Sequence, residues 1–188
     1  MILLKHDFDC LKKVSQVLCA GEVVIIPTDT VYGFSGLVPG TDSLIRDIKG
    51  RGESKPFIQL IADSQDLLKY TDTPIPEKVQ ANMPGALTVI VKNRENTGTT
   101  AFRCPNDEWL RSLIRLCGHP LYSTSTNRSG EPVINTVSEL EKEFGGEVFC
   151  IVDDGKESNS QNTTVLPSTI VDITKGEILI VRQGSVLI

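Results

Sequence analysis

Apolar residues along this chain occur both in short unbroken runs and at helical spacing. The run Val23-Val24-Ile25-Ile26 predicts a buried strand over residues 23–27. Further strands are predicted over residues 57–62, 87–92, 99–104, 120–125, 148–152, 169–173 and 178–181. Apolar stripes and capping residues predict helices over residues 7–20, 41–50, 64–70, 76–83, 107–117 and 137–144. Strands that alternate with helices, followed by a late group of strands, predict an α/β fold on a twisted mixed sheet.

The length and composition predict one globular domain over residues 1–188. Of 188 residues, 39% are hydrophobic and 23% are charged, a balance that excludes a disordered or collagen-like chain. The net charge of -5 argues against a generic nucleic-acid-binding protein. No apolar run is long enough for a signal peptide or a membrane span, and the cysteines and histidines fit no zinc site. We therefore predict a cytoplasmic protein with reduced thiols and no metal site of its own.

The chain lacks the common catalytic and nucleotide-binding motifs. It contains no G-x-x-x-x-G-K-[ST] phosphate loop, no G-x-G-x-x-G fingerprint and no G-x-S-x-G elbow. His119 stands beside Pro120 and has no evident nucleophile partner in the sequence. The sequence therefore offers only weak candidates for a catalytic side-chain nucleophile or base.

Polar clusters follow several predicted strands and helices. They lie at residues 27–33, 49–56, 123–130, 167–169 and 182–184. Ligands bind at strand ends in open α/β sheets, and three cations in one glycine-containing loop favour a phosphate chain. Each cluster taken alone is equally compatible with an ordinary turn or a solvated loop. Together they predict one pocket for an anionic ligand.

The order of these motifs resembles the YrdC-like threonylcarbamoyl-AMP synthase family over residues 8–184. The motifs are Pro-Thr-Asp-Thr-Val-Tyr-Gly, Lys-x-Arg with Lys-Pro, Met-Pro-Gly-Ala-Leu-Thr, Phe-Arg-Cys-Pro, Ser-Thr-Asn with Ser-Gly, Pro-Ser-Thr-Ile-Val-Asp and Val-Arg-Gln-Gly. The chain is similar to the short, single-domain form. The resemblance implies a concave pocket on the sheet. It also implies synthesis of threonylcarbamoyl-AMP and pyrophosphate from L-threonine, bicarbonate or CO2, and ATP.

The resemblance also implies roles for individual residues. The implied threonine contacts are Thr30, Arg103, Ser125 and Ser168. The implied ATP contacts are Lys49, Arg51, Lys55, Thr99, Asn127, Asn135 and Arg182, of which the first three are also assigned to catalysis. Mg2+ is expected to arrive with ATP, and the product is expected to feed a transferase complex that modifies tRNA.

One position departs from the family pattern, and alternative functions remain open. Leu60 stands where longer members carry histidine, which removes one threonine contact. The alternatives are a translation-associated module that binds RNA weakly, a paralogue of the same fold with another substrate, and a carbamoyl-adenylating domain of hydrogenase maturation. The Ser-Thr-Asn and Pro-Ser-Thr motifs argue against the paralogue, and the net charge argues against RNA binding.

Overall fold

A mixed sheet runs through the protein. The computed structural model describes residues 1–52, 56–95, 97–155 and 166–188. In these ranges the strands are β1 (Ile2–Leu4), β2 (Val24–Ile26), β3 (Gly33–Leu37), β4 (Ile58–Leu60), β5 (Leu87–Lys92), β6 (Thr99–Arg103), β7 (Leu121–Ser125), β8 (Cys150–Asp153), β9 (Thr169–Asp172) and β10 (Leu179–Arg182). They form one sheet in the order β1-β8-β2-β3-β7-β4-β6-β5-β9-β10. Parallel and antiparallel pairs both occur, as predicted.

The helices are short and end where the sequence places stop signals. They are α1 (Cys10–Cys19), α2 (Asp42–Lys49), α3 (Glu77–Gln80), α4 (Glu108–Cys117) and α5 (Val137–Phe144), with a 3-10 helix at Ser64–Lys69. The Asp107 carboxylate accepts a hydrogen bond from Leu110 N and so caps α4. Gly50 and Gly118 follow α2 and α4 with φ of +59° and +73°, a left-handed conformation that favours glycine. The predicted helices are confirmed, although α1 begins three residues later than expected and α3 ends three residues earlier.

The central strands are buried on both faces because helices cover each side. Val24 and Ile26 pack with α1 and α4, whereas Val23 and Ile25 pack with α2 and α5. Successive strand side chains point to opposite faces, so a continuous apolar run is what a strand between two helical layers requires. A third apolar cluster joins β5, β6 and β9 to the 3-10 helix and α3.

The sequence pattern predicts neither β1 nor β3. β3 contains two glycines and a serine, and it is held by antiparallel partners on both sides, β2 and β7. Its Gly36 lets α2 approach, because a Cβ there would lie 2.2 Å from Thr41 Oγ1. β1 is a three-residue edge strand that pairs with β8, far away in sequence. Long-range pairing, rather than local pattern, makes both strands.

The register of the sheet sets one row of residues across five strands. Leu60 pairs with Arg103, Arg103 with Thr88, Thr88 with Ile170, and Ile170 with Arg182. Residues paired in this way share one face of a sheet. The two arginines therefore lie on the same face, separated by β5 and β9.

In the described ranges, no helix is both long and apolar enough to cross a bilayer.

Candidate active site

A cavity of about 490 Å³ opens beside this row of paired residues. Its walls come from the loop between β2 and β3, from β4 and β7, and from the ends of β6, β9 and β10. Six of the predicted residues line it: Thr30, Arg51, Arg103, Ser125, Ser168 and Arg182. All four predicted threonine contacts are among them, so the structure brings that set together.

Arg103 is the most firmly held side chain of the cavity. Its Nη2 donates to Asp29 Oδ1 at 2.6 Å, its Nη1 to Thr30 Oγ1 at 2.9 Å, and its Nε to Gly85 O at 3.2 Å. The Arg103 and Asp29 side chains are only 7% and 14% exposed, so this is a buried ion pair. Asp29 Oδ2 also accepts a hydrogen bond from Asn106 N at 2.9 Å. The guanidinium is thus fixed in orientation before any ligand arrives.

The hydroxyl of Thr30 is oriented by its neighbours as well. It lies 3.0 Å from Thr28 Oγ1, which accepts from Thr30 N and donates to Val31 O. Asn135 supports the same loop, because its Oδ1 accepts from Tyr32 N at 3.1 Å. Small polar side chains that satisfy nearby backbone groups are typical of tight loops. This loop therefore presents Thr30 to the cavity in one arrangement.

A second polar group stands on the far wall of the cavity. Ser168 Oγ lies 2.9 Å from the Thr88 hydroxyl, and Arg182 Nη2 donates to Ser168 O at 2.8 Å. Burial of Arg182, followed by the positive charge of Arg103, lowers the pKa of the Arg182 guanidinium. Among the described residues that line the cavity there are three arginines and no carboxylate. Such a wall favours an anionic ligand.

A second cavity of about 440 Å³ shares Arg51 and Ser125 with the first. It is also lined by Lys49 and Asn127, two of the predicted ATP contacts. Arg51 stands between the two cavities, with its guanidinium 4.9 Å from the centre of the Phe57 ring. Its Nη1 is 3.4 Å from Thr124 Oγ1. The Arg51 guanidinium can therefore reach a ligand that extends from one cavity into the other.

Lys49 is buried, and its amine already donates hydrogen bonds to protein oxygens. Its Nζ donates to Ser125 O at 2.5 Å, to Asn127 O at 2.8 Å and to Asn127 Oδ1 at 3.0 Å. The residue is 3% exposed, and burial lowers the pKa of its amine to about 8. An ammonium group has three protons to donate, and here all three have protein acceptors. A direct contact between Lys49 and phosphate would require one of these bonds to be exchanged.

The amide of Asn127 is likewise used inside its own turn. Its Oδ1 accepts from Ser125 Oγ at 2.7 Å, and its Nδ2 donates to Glu131 O at 2.7 Å. Thr126, between them, donates its hydroxyl to Ile134 O at 2.6 Å. The Ser-Thr-Asn motif is therefore a rigid turn that Lys49 clamps from one side, and its direct contact with ATP stays a prediction.

Three predicted residues are not placed in either of these cavities. Thr99 is the first residue of β6, about 13 Å along the strand from Arg103, and it lines neither cavity, so its contact with ATP stays a prediction. Asn135 supports the loop before β3 and lines neither cavity. Lys55 lies outside the described residues. Leu60 is 2% exposed and packs in the apolar cluster under α4, so it presents no polar group.

The sequence interpretation missed the partners that hold the site residues in place. Asp29 belongs to a recognised polar cluster, but its ion pair with Arg103 joins residues far apart in the chain. Thr88 likewise belongs to a recognised motif and pairs with Arg103 only through the register of β5 and β6.

No group of three or more potential metal ligands occurs among the described residues.

Gly184 is predicted to be essential for the wall that carries Ser168. A Cβ at this position would lie 2.1 Å from Pro167 O and 2.5 Å from Thr169 N, both backbone atoms that cannot rotate away. We expect Gly184→Ala to destabilise the fold by about 1–3 kcal/mol and to weaken ligand binding. Chemical denaturation measures the first effect. Gly146→Ala is the matched control, since nothing lies within 4 Å of a Cβ there, and equal stability of the two variants would contradict the prediction.

Comparison with known proteins finds relatives that match most of this chain. The Sua5/YciO/YrdC family, described as telomere recombination, matches residues 16–184. A threonylcarbamoyl-AMP synthase of Bacillus subtilis is 34% identical over 171 residues, which are 83% of this chain and 49% of the relative. One from Pseudoalteromonas translucida is 33% identical over 178 residues, covering 86% and 91%. Pyrococcus abyssi Sua5 complexed with L-threonine superposes with a TM-score of 0.83 at 26% identity, covering 98% of this chain and 57% of that one.

These comparisons confirm the resemblance and the fold class. The chain spans about half of the B. subtilis relative and 57% of the P. abyssi chain, but 91% of the P. translucida relative. The family match covers most of the chain. It includes the loop before β3, the Ser-Thr-Asn turn that Lys49 contacts, and Arg182. The chain therefore belongs to the Sua5/YciO/YrdC family.

Proposed function

We propose that this chain is a nucleotidyltransferase that makes threonylcarbamoyl-AMP and pyrophosphate from L-threonine, bicarbonate or CO2, and ATP. The observation that carries the proposal is a cavity lined by three arginines, threonine and serine hydroxyls and no described carboxylate. Relatives at 33% and 34% identity that carry the name threonylcarbamoyl-AMP synthase support the same assignment. We further propose that residues 1–188 act as one domain in the cytoplasm.

In this proposal L-threonine binds between Arg103 and the surrounding hydroxyls. The Arg103 guanidinium, pre-oriented by Asp29, pairs with the threonine carboxylate. The hydroxyls of Thr30, Ser125 and Ser168 line the same cavity and supply hydrogen-bonding partners for the amine and side chain. The amino acid is thereby held with its amine free to react.

ATP is proposed to extend from the first cavity into the second. Arg51 lines both, so its charge can offset phosphate charge along the whole ligand. Arg182 adds a further cation on the opposite wall. Mg2+ arrives on the triphosphate as part of the substrate. The Lys49 clamp keeps the turn between β7 and α5 in place and acts through position rather than by direct contact.

The reaction needs no side-chain nucleophile. The threonine amine attacks CO2, loses a proton to solvent and becomes a carbamate, and CO2 forms from bicarbonate by loss of hydroxide. A carbamate oxygen then attacks the α-phosphorus of ATP, and the bond from that phosphorus to the bridging oxygen breaks to release pyrophosphate. The protein holds two anions together and offsets charge at phosphorus, which fixed guanidiniums and hydroxyls do well. We propose that the product feeds a transferase complex that modifies tRNA.

Pyrophosphate release from ATP is the decisive experiment. The full chain is incubated with Mg-ATP, L-threonine and bicarbonate, and each is omitted in turn in CO2-depleted buffer. We expect pyrophosphate and threonylcarbamoyl-AMP, detected by mass spectrometry, only in the complete mixture. Equal release without L-threonine would overturn the proposal, and release dependent on a different amino acid would favour a paralogue with another substrate.

Arg51→Ala is expected to weaken ATP binding about 10- to 150-fold, because a charge-assisted contact to phosphate is worth about 1.5–3 kcal/mol. The fold should be retained, since the hydrogen bond that the guanidinium donates to Thr124 Oγ1 is long at 3.4 Å. Titration with ATP by calorimetry measures the effect. Arg94→Ala is the matched control, because Arg94 pairs with Asp72 on the surface and lines neither cavity. Unchanged ATP affinity of Arg51→Ala would remove this residue from the site.

A further inference from the structure

Two cysteines end neighbouring helices that run side by side. Cys19 is the last residue of α1 and Cys117 is the last residue of α4. The two helices have the same length and pack into one apolar cluster. Their beginnings are joined by an ion pair of 2.6 Å between Lys5, ahead of α1, and Asp107, the cap of α4. Helices joined at their starts and packed along their lengths bring their last residues together.

The thiols at these two ends are neighbours. Cys19 lies within hydrogen-bonding reach of the Cys117 thiol. Cys19 is exposed, whereas Cys117 is 8% exposed. Burial, followed by the neighbouring Cys19, raises the pKa of Cys117 to about 12. The two sulfurs therefore differ in their access to solvent. Cys19 is open to a dissolved reagent, whereas Cys117 is buried beside it.

We propose that Cys19 and Cys117 are a redox modification site that closes to a reversible disulfide in the presence of a peroxide. The Cys19 thiolate attacks hydrogen peroxide, forms a sulfenic acid and releases hydroxide. The Cys117 sulfur then attacks the Cys19 sulfur, the S–O bond breaks, and water leaves with the Cys117 proton. Overall two thiols and one peroxide give one disulfide and two waters. A dithiol reductant reverses the step by thiol–disulfide exchange.

The remaining cysteines provide a control within the same molecule. Cys10, Cys104 and Cys150 are 1%, 0% and 0% exposed, and burial is the main cause that raises the pKa of each. Cys10 and Cys150 also interact with each other, but neither is open to solvent. A buried pair of this kind should stay reduced while the native fold persists. Reaction should therefore be confined to the pair with one exposed member.

The modification does not depend on the proposed function. Cys19 precedes β2 and Cys117 precedes β7, so the pair lies near the starts of these strands. The cavity residues Thr30 and Ser125 lie beyond and at the other ends of the same strands. A protein with an entirely different substrate would carry the same pair of thiols.

Peroxide treatment followed by peptide mapping tests the proposal. The full chain, at micromolar concentration, is exposed to hydrogen peroxide, alkylated while folded and digested without reductant. We expect one intramolecular disulfide between the Cys19 and Cys117 peptides, with the other three cysteines unmodified. Because the bridge closes a loop of about 100 residues, the melting temperature should rise by about 5–10 °C and return on reduction.

Cys19→Ser, at an exposed position, should fold normally and lose both the disulfide and the rise in melting temperature. Cys117→Ser should behave in the same way if it folds, and Cys19→Ser alone is sufficient if it does not. Oxidised protein in which Cys117 can still be alkylated after unfolding would overturn the proposal. A cross-link between two chains through Cys19, or a disulfide between Cys10 and Cys150, would overturn it as well.

Discussion

Replacing Arg103 with alanine is expected to abolish measurable L-threonine binding and to lower the free energy of unfolding by about 3–5 kcal/mol. The guanidinium is both the proposed partner of the threonine carboxylate and the partner of the buried Asp29 carboxylate. Its loss leaves Asp29 as an uncompensated charge in a site that is largely closed to water. Calorimetric titration measures the first effect and chemical denaturation the second.

A second substitution separates the two roles of Arg103. In Arg103→Ala combined with Asp29→Asn, the buried charge is gone, so most of the lost stability should return. L-Threonine binding should not return, because the guanidinium is still absent. The double variant thus distinguishes a lost ligand contact from a damaged fold. Normal L-threonine affinity in either variant would show that the amino acid binds elsewhere.

Replacing Lys49 with methionine is expected to lower the free energy of unfolding by about 1–3 kcal/mol at pH 7. Asn127 O would lose its buried donor, and an unmet group of this kind costs about 1–3 kcal/mol. Ser125 O and Asn127 Oδ1 would each lose one donor but keep another, Asn127 N and Ser125 Oγ respectively. The turn that carries Ser125 would loosen, so affinities for ATP and L-threonine should fall together. A loss confined to ATP would instead indicate direct contact between Lys49 and phosphate.

The same substitution has a defined dependence on pH. Burial lowers the pKa of Lys49 to about 8, below the 10.5 of the unfolded chain. The cost of burying the charged amine is therefore fully present below pH 8 and declines as pH rises from 8 to 10.5, where the unfolded chain binds more protons. The wild type should gain about 2 kcal/mol relative to Lys49→Met between pH 7 and pH 9.5. A constant difference in unfolding free energy over that range would contradict this.

Local signals in the sequence were sufficient for much of the fold. α4 and α5 begin and end close to the predicted residues, and β5 matches the predicted strand over Leu87–Lys92. In α4 the cap, the apolar stripe and the stop glycine all lie within the element itself. β3 has no such signal, because Gly36 serves the approach of α2, Gly33 lies against β7, and the neighbouring strands supply the hydrogen bonds of β3.

The same distinction between local signals and long-range pairing applies to the candidate site. Arg103, Thr30 and Ser168 could be named from motifs, because each lies in a distinctive short segment. Their arrangement could not, since it depends on which residues of β6, β5 and β9 are paired. The contact between Lys49 and phosphate stays a prediction, and it depends on the fold in the same way. The sequence reveals a cation in a loop, but only the folded turn supplies three oxygens that occupy it.

The position of β10 at the edge of the sheet has a kinetic consequence for the cavity. Among the described strands it pairs only with β9, and Leu179, Ile180 and Val181 are all exposed. Strands with one neighbour and little buried surface open by local unfolding far more often than central ones. Amide protons of β10 should therefore exchange with solvent long before those of β7, and each opening carries Arg182 away from Ser168. The wall of the cavity that carries Arg182 should therefore open by local unfolding more often than the walls that carry Arg103 and Ser125.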